Sequence, residues 1–122
     1  MIPAYLICIV DEMSREALGQ FELMVLLAVL RLGEDAYGVP VAEALEDATG
    51  RDVLHGSVYA ALDRLEAKGL ITSSMGDPTS ERGGRAKKYF KLTAKGLRGV
   101  REAQRALTTL WRGLPQLQGR TT

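Results

Sequence analysis

The stretch Arg82-Gly83-Gly84-Arg85-Ala86-Lys87-Lys88-Tyr89-Phe90-Lys91-Leu92-Thr93 decides the fold of this 122-residue chain. Two glycines between arginines are typical of a tight turn with a basic tip. The residues after the turn are basic, then aromatic and apolar, as in a strand that returns to the body of a domain. The stretch therefore predicts a β-hairpin whose second strand covers residues 86–92.

The residues before this turn predict a helix followed by the first strand of the hairpin. Residues 55–68 place apolar side chains at helical spacing, which defines one buried stripe: Val58, Ala61, Leu62 and Leu65. Gly69 is suited to end the helix, and residues 70–75 are interpreted as a strand. Residues 76–84 are rich in turn formers and join the two strands.

Two more helices precede this unit. Residues 18–32 are apolar nearly all round, so we expect a central, buried helix that ends in a left-handed cap at Gly33. Residues 39–49 form a second helix, with Pro40 in its first turn and Gly50 as its C-terminal cap. The short connector to the third helix is typical of a helix-turn-helix.

A last helix is predicted over residues 94–112, with Thr93 as its N-cap. Leu97, Val100, Leu107, Leu110 and Trp111 give it an apolar stripe along about 28 Å of helix. Such a stripe is not stable in water. It must pack on the first helix, on a second subunit, or on both.

The element order predicts an α+β fold that is mostly α-helical: a winged helix-turn-helix of three helices and a β-hairpin wing, followed by a C-terminal helix. We expect residues 1–13 to be an N-terminal extension, disordered or lying on the domain. Residues 14–93 form the winged domain, and residues 94–122 form the C-terminal helix and tail. In this layout the third helix can enter the major groove of DNA while the wing contacts the backbone or the minor groove. Winged helices also serve as protein-interaction modules, so an adaptor without affinity for duplex DNA is the alternative.

The charges are distributed unevenly along the chain. Residues 1–50 contain nine acidic and two basic residues, whereas residues 51–122 contain fourteen basic and six acidic ones. Such asymmetry favours one surface for an anionic partner, although an inert dipolar surface has the same composition.

Candidate DNA contacts lie in the wing and at the start of the third helix. Arg82, Arg85, Lys87 and Lys88 can neutralise phosphates. Because side chains alternate along a strand, Lys87 and Lys88 face opposite ways, and only one of them reaches phosphate. In the helix, His55, Ser57 and Tyr59 can contact phosphates or base edges, although Ser57 is also suited to cap the helix and Tyr59 to half-bury itself in the core. Arg64 either contacts DNA or pairs with Asp63 or Glu66.

Other classes of function find little support. A single histidine, a single cysteine (Cys8) and the absence of nucleophile or metal-ligand spacing argue against an enzyme, a metal site or a cofactor. The apolar stretch 1–10 is too short to span a bilayer and has no basic region before it, so we expect neither a membrane anchor nor a signal peptide. The lone cysteine is compatible with a reducing cytoplasm.

Several motifs of the chain resemble the PadR-like family of transcriptional regulators. The resemblance covers about residues 17–96. It rests on five stretches: Leu18-Gly19-Gln20-Phe21-Glu22, Ala36-Tyr37-Gly38, residues 56–66 (GSVYAALDRLE), Lys68-Gly69-Leu70, and the wing from Arg82-Gly83-Gly84-Arg85 through Leu92-Thr93.

The resemblance implies a prokaryotic, cytoplasmic homodimer that binds double-stranded operator DNA, usually as a repressor and at a near-palindrome. By position, it assigns Ser57 and Tyr59 to the recognition helix, and Arg85, Lys87 and Lys88 to the wing. It makes the C-terminal helix the dimerisation element, with its apolar stripe as the interface, as in the branch of the family with a short C-terminal region. It also implies a small aromatic or lipophilic effector near the dimer core, where Trp111 is a candidate lining residue, although plain interface packing accounts for Trp111 equally well.

Overall fold

The computed structural model describes residues 18–76 and 87–117. Four α-helices and one antiparallel hairpin follow each other along the chain: α1 (Gln20–Leu32), α2 (Gly38–Thr49), α3 (His55–Ala67), β1 (Ile71–Met75), β2 (Lys88–Leu92) and α4 (Ala94–Trp111). Single 3₁₀ turns follow α1 and α4, at Gly33–Asp35 and Pro115–Leu117. The helices and strands are those that the sequence predicts, with ends that differ by one or two residues. The N-terminal extension and the tip of the wing lie outside the described residues.

The core lies where α1, α2 and α3 meet the hairpin. Helix α3 contributes the four side chains predicted from its spacing, and all four are buried: Val58, Ala61, Leu62 and Leu65. From the hairpin, Ile71, Phe90 and Leu92 close the core. Burial of so much apolar surface is the main force that holds the three helices and the sheet together.

The composition of helix α1 predicts burial nearly all round, but in the structure one side of the helix is open. Val25, Leu26 and Val29 are buried in the core, but Leu27 and Leu30 remain almost half exposed. They lie beside α2 on a depression that Met24, Ala44 and Ala48 also line. The prediction was wrong for these two leucines because composition does not distinguish a face that covers the chain's own core from a face that is left open.

The helix ends follow the capping residues with one exception. Gly50 ends α2 in the left-handed conformation (φ 69°, ψ 18°), and the Thr93 hydroxyl accepts a hydrogen bond from Gly96 N at 3.0 Å, as an N-cap does. Gly33 has a positive φ of 60°, but its ψ of −119° lies outside the left-handed helical region. The chain turns there into a 3₁₀ turn instead of the predicted left-handed cap.

The hairpin is anchored to the rest of the domain along the outer edge of β2. Ile71 pairs with Leu92 at one end of the register and Met75 with Lys88 at the other. Phe90 N donates a hydrogen bond of 2.8 Å to Ala36 O, so the connector before α2 runs along the free edge of β2. The three helices and this hairpin form a winged helix-turn-helix, in agreement with the predicted fold class.

Helix α4 leaves the domain halfway along its length. Gly96 is buried and packs so closely on the Leu70 carbonyl that a Cβ atom there would overlap it. Leu97 and Val100 pack partly buried against the core, whereas every residue from Gln104 to Trp111 is exposed. Only the first half of the predicted stripe is therefore covered by the chain's own domain.

Candidate nucleic-acid interface

The N-terminal half of α3 presents an open polar face. His55, Ser57 and Tyr59 are all exposed, while Val58 between them points into the core. No side chain caps α3, so the Ser57 hydroxyl does not have the capping role that the sequence left open. Uncapped N–H groups and small side chains at this end leave the helix terminus accessible to an anion.

Tyr59 is placed by a glycine of the neighbouring helix. Its ring lies over Gly38, where a Cβ atom would overlap the tip of the tyrosine side chain. Tyr59 is half-buried, with 45% exposure, and its buried part lies on Gly38 of α2 and not among the core residues. The contact brings the Tyr59 hydroxyl to the N-terminus of α2, next to Tyr37, which is the N-cap residue of that helix.

The base of the wing meets the same region. Lys87 Nζ lies 4.6 Å from the centre of the Tyr37 ring and 3.4 Å from the Tyr37 hydroxyl. The Tyr37 ring in turn packs edge-to-face on Tyr89 of β2, with ring centres 5.4 Å apart. Contacts of this kind hold the ammonium group over an aromatic face while leaving it hydrated. The start of α3, the start of α2 and the base of the wing thus form one continuous surface, which we call the open face: Tyr37, His55, Ser57, Tyr59 and Lys87.

Lys88 points the other way, towards α3. Its Nζ donates to Glu66 Oε1 at 3.2 Å, and the Ser73 hydroxyl donates to Glu66 Oε2 at 2.5 Å. Hydrogen bonds from Ser73 and from Lys88 lower the pKa of the Glu66 carboxyl below its usual value. The two lysines therefore do face opposite ways, as expected from strand geometry, and the structure engages Lys88 in tying the wing to α3.

Arg64 and Lys68 bind a carboxylate on α1. Arg64 Nε donates to Glu22 Oε2 at 3.2 Å, and Lys68 Nζ donates to both oxygens at 3.0 and 3.1 Å. Burial raises the pKa of the Glu22 carboxyl, but the hydrogen bonds from Lys68 and Arg64 outweigh it and leave the pKa below its usual value. Arg64 pairs with neither Asp63 nor Glu66, the partners expected from local spacing.

Sequence reasoning missed two residues of this region. Tyr37 belongs to the open face, and the Tyr-Gly pair before a helix was its only local signal. Glu22 is the one buried charged residue of the described chain, at 7% exposure, and its two charged partners lie more than forty positions away. Arg82 and Arg85, the other predicted wing contacts, lie outside the described residues.

Metal-binding clusters and membrane-spanning helices were the other two features sought in the described residues. Across residues 18–76 and 87–117, no cluster of three or more histidine, cysteine, aspartate or glutamate residues could hold a metal ion. Within the same ranges no helix has the length and apolar character needed to cross a membrane.

Comparisons with known proteins place this geometry in a family. The model of the transcriptional regulator PadR-like family matches residues 26–102. No curated protein has a matching sequence. Among solved structures, a PadR family transcription regulator from Clostridium difficile R20291 is similar, with a TM-score of 0.67 and 22% identity over 83% of this chain and 100% of that one.

A second similar structure is a PadR-like transcriptional regulator from Bacillus cereus. It has a TM-score of 0.63 and 25% identity over 82% of this chain and 93% of its own. Families of transcriptional regulators act on DNA and are not enzymes, so the match favours a DNA-binding regulator over a protein-interaction adaptor. With the family model matching well over half of its length, the chain belongs to the PadR-like family of transcriptional regulators.

Proposed function

We propose that this protein represses transcription by binding a near-palindromic operator as a homodimer, with the open face against the DNA. The observation that carries the proposal is the convergence of Tyr59, Tyr37 and Lys87 at the start of two helices. Helix N-termini, hydroxyl groups and an ammonium ion are the groups that proteins use to position themselves on phosphates.

In this proposal the DNA contacts of the open face come from the start of α3 and from the wing. Ser57 and Tyr59 hold the start of α3 on the duplex, with His55 beside them, because all three are exposed on the turn that enters the groove. Lys87 contacts the backbone from the wing, together with Arg82 and Arg85. Lys88 and Arg64 support this face without contacting the DNA, because they form ion pairs with Glu66 of α3 and Glu22 of α1.

The dimer is held together by the free half of α4, which is residues 104–111. Leu107, Leu110 and Trp111 are 48, 73 and 57% exposed, although they share one face of a regular helix. The depression between α1 and α2, with the exposed Leu27 and Leu30, is an apolar surface of the kind that such a stripe covers. Two copies that exchange these surfaces place two α3 helices about one turn of DNA apart, roughly 34 Å, which requires a near-palindromic site. Leu97 and Val100 contribute only the edge of this interface, since their own core half-buries them.

The effector proposal has a narrower basis. Trp111, Leu107, Thr108 and Arg112 line a shallow cavity of about 370 Å³ on the free half of α4. A second copy packed over it would leave an aromatic, partly apolar pocket suited to a small aromatic or lipophilic molecule. Chromosomal DNA as the target makes the cytoplasm the expected location.

The test is binding of the purified protein to the DNA upstream of its own gene, titrated over salt, against an unrelated duplex of equal length. We expect selective binding whose affinity falls steeply with salt. Ser57→Ala combined with Lys87→Ala should weaken binding, whereas Lys91→Ala, an exposed lysine of β2 outside the open face, serves as the control.

Two outcomes would contradict the proposal. Equal, weak binding to both duplexes would show that the upstream DNA contains no operator for this protein. If the control variant loses as much affinity as the open-face variant, the open face is not the surface that binds DNA. Transcription from the same upstream DNA in vitro, with and without the protein, then separates a repressor from an activator.

A further inference from the structure

Helix α4 carries a second surface, on the side away from its apolar stripe. Arg98, Arg101, Arg105 and Arg112 lie within an arc of about 60° when the helix is projected at 100° per residue. Their centre is turned by about 150° from that of Leu107, Leu110 and Trp111. A second copy packed on the apolar stripe therefore leaves Arg98, Arg101 and Arg105 exposed.

These arginines have no charge partner within the described chain. The ion pairs found in residues 18–76 and 87–117 join Glu22 and Glu66 to other cations. Glu102 is the only acidic residue of α4. By contrast, Lys95 in the first turn of the helix is engaged, since its Nζ donates to Lys68 O at 3.0 Å.

The groups around the arginines are hydrogen-bond donors as well. Arg101, Arg105 and Arg112 share a depression of about 420 Å³ with Gln104, Thr108 and Thr109, and no other residue lines it. Guanidinium groups bind phosphate oxygens in a fork, and hydroxyl and amide groups supply the remaining donors. From Arg101 to Arg112 the helix rises about 16 Å, the axial length of about five phosphates of one DNA strand.

This arginine surface begins at the opposite end of the domain from the open face. Thr93 and Lys95 bond to Gly69 and Lys68, just beyond the C-terminus of α3, whereas the open face surrounds the N-terminus of α3. The two ends of α3 are about 20 Å apart. The arginine surface therefore starts about 20 Å from the centre of the open face.

We propose that the arginine surface of α4 binds the phosphate backbone of a second segment of duplex DNA while the open face holds the first. The proposal rests on the proposed function only in naming the DNA that the open face holds. A homodimer then presents two arginine surfaces, and the protein joins two DNA segments.

The experiment uses the full chain and two duplexes: a labelled fragment of its own upstream DNA and an immobilised unrelated duplex. The amount of labelled DNA captured through the protein is measured for three proteins: the wild type, Arg98→Gln/Arg101→Gln/Arg105→Gln, and the matched variant with lysine at the same three positions. We expect the glutamine variant to lose at least about tenfold in capture while its dimer and its affinity for the single labelled fragment stay unchanged. The lysine variant should keep most of the capture, because charge supplies most of the affinity for phosphate.

A second arm separates failure of this inference from failure of the proposed function. In Ser57→Ala/Tyr59→Ala, binding to the unrelated duplex should persist, and adding the three glutamines should lower its salt slope by about 2.7, or 0.9 per phosphate contact. This result supports the arginine surface even if the wild type does not select its upstream DNA.

Three results would overturn the inference. Undiminished capture by the glutamine variant would show that the arginines bind no DNA. An equal loss of affinity for the single labelled fragment would place them on the same duplex as the open face. Dissociation of the glutamine variant into monomers would place them in the subunit interface.

Discussion

At the scale of single residues, the contact between Gly38 and Tyr59 gives the proposed interface its sharpest test. In Gly38→Ala the new methyl group meets the tip of the Tyr59 side chain, which must swing away from the start of α2. Alanine in place of glycine at a helix position stabilises the chain by about 0.4–1 kcal/mol. This gain should offset the cost of moving Tyr59, so the free energy of unfolding should change little. Operator affinity should fall roughly tenfold, as expected for the loss of one hydrogen bond to a charged phosphate.

Fluorescence anisotropy and thermal unfolding measure the two effects of Gly38→Ala separately. Gly99→Ala, in α4, is the matched control, since its Cβ atom would only touch the Leu18 side chain, at 3.7 Å. If Gly38→Ala binds the operator like the wild type, the position of Tyr59 does not matter for DNA binding.

The buried carboxylate of Glu22 predicts a dependence of stability on pH. Its pKa in the folded state lies below the ordinary value of 4.5, so the ionised form stabilises the fold above that pH. The contribution is lost as the pH falls through the folded pKa. At neutral pH Glu22→Gln should cost about 1–2 kcal/mol, the low end for charged hydrogen bonds because Arg64 and Lys68 are partly solvated.

Urea unfolding at several pH values between 3 and 7 tests this prediction. The difference between wild type and Glu22→Gln should shrink steadily below pH 4.5 and stay constant above pH 6. A difference that is independent of pH would mean that the carboxylate charge does not stabilise the fold.

Individual contacts of this kind were only partly predictable. Helical periodicity predicts the buried side of α3, which contains Val58 and Leu62, but it leaves open how far Tyr59, at the edge of that side, is exposed. The partner of Arg64 does not follow from local spacing, because Glu22 is 42 positions away and comes close only after α1 packs on α3.

At the scale of elements, the Lys88–Glu66 ion pair couples the wing to α3. Lys88→Met and Glu66→Gln should each weaken operator binding slightly by loosening the wing, and the double variant should be no weaker than the worse single one. Lys91→Met, on the opposite side of the same strand, should be additive with Glu66→Gln. Additive effects of the Lys88 and Glu66 variants would mean that Lys88 contacts the DNA itself.

The close approach of α4 to the end of α3 predicts a packing defect. In Gly96→Ala the methyl group overlaps the Leu70 carbonyl, a backbone atom that cannot turn aside. The strain should cost about 1–3 kcal/mol of unfolding free energy, as other overpacked sites do. Thermal unfolding compared with Gly99→Ala measures it, and an equal midpoint for both variants would show that α4 shifts without cost.

The elements themselves were predictable to within one or two residues, because Gly50, Gly69 and Thr93 mark helix ends and the helical apolar spacing of residues 58–65 stops before residue 70. The exposure of Leu27 and Leu30 was not. Apolar periodicity specifies which side chains avoid water, but it does not specify whether they are covered by the same chain or by another.

At the scale of the whole molecule, the open leucines of α1 and the free half of α4 give the last prediction. Leu107→Asp places a charge in the centre of the stripe, 48% exposed in the single chain, so its cost to the monomer fold should be small. The same charge buried in a subunit interface without a partner is strongly destabilising, and the dimer should dissociate. Thr109→Asp, exposed on the opposite side of α4, should leave the dimer intact.

Sedimentation equilibrium reports the mass of each variant, and circular dichroism reports whether the helices remain. The dimer model predicts a folded monomer for Leu107→Asp that binds a single operator half-site weakly and loses the advantage of the full palindrome, because two linked contacts bind far more tightly than one. Unfolding of Leu107→Asp with Thr109→Asp unaffected would instead mean that this leucine is needed within one chain. The dimer would not be needed for DNA binding if the wild-type protein is monomeric at micromolar concentration and still binds the full palindrome tightly.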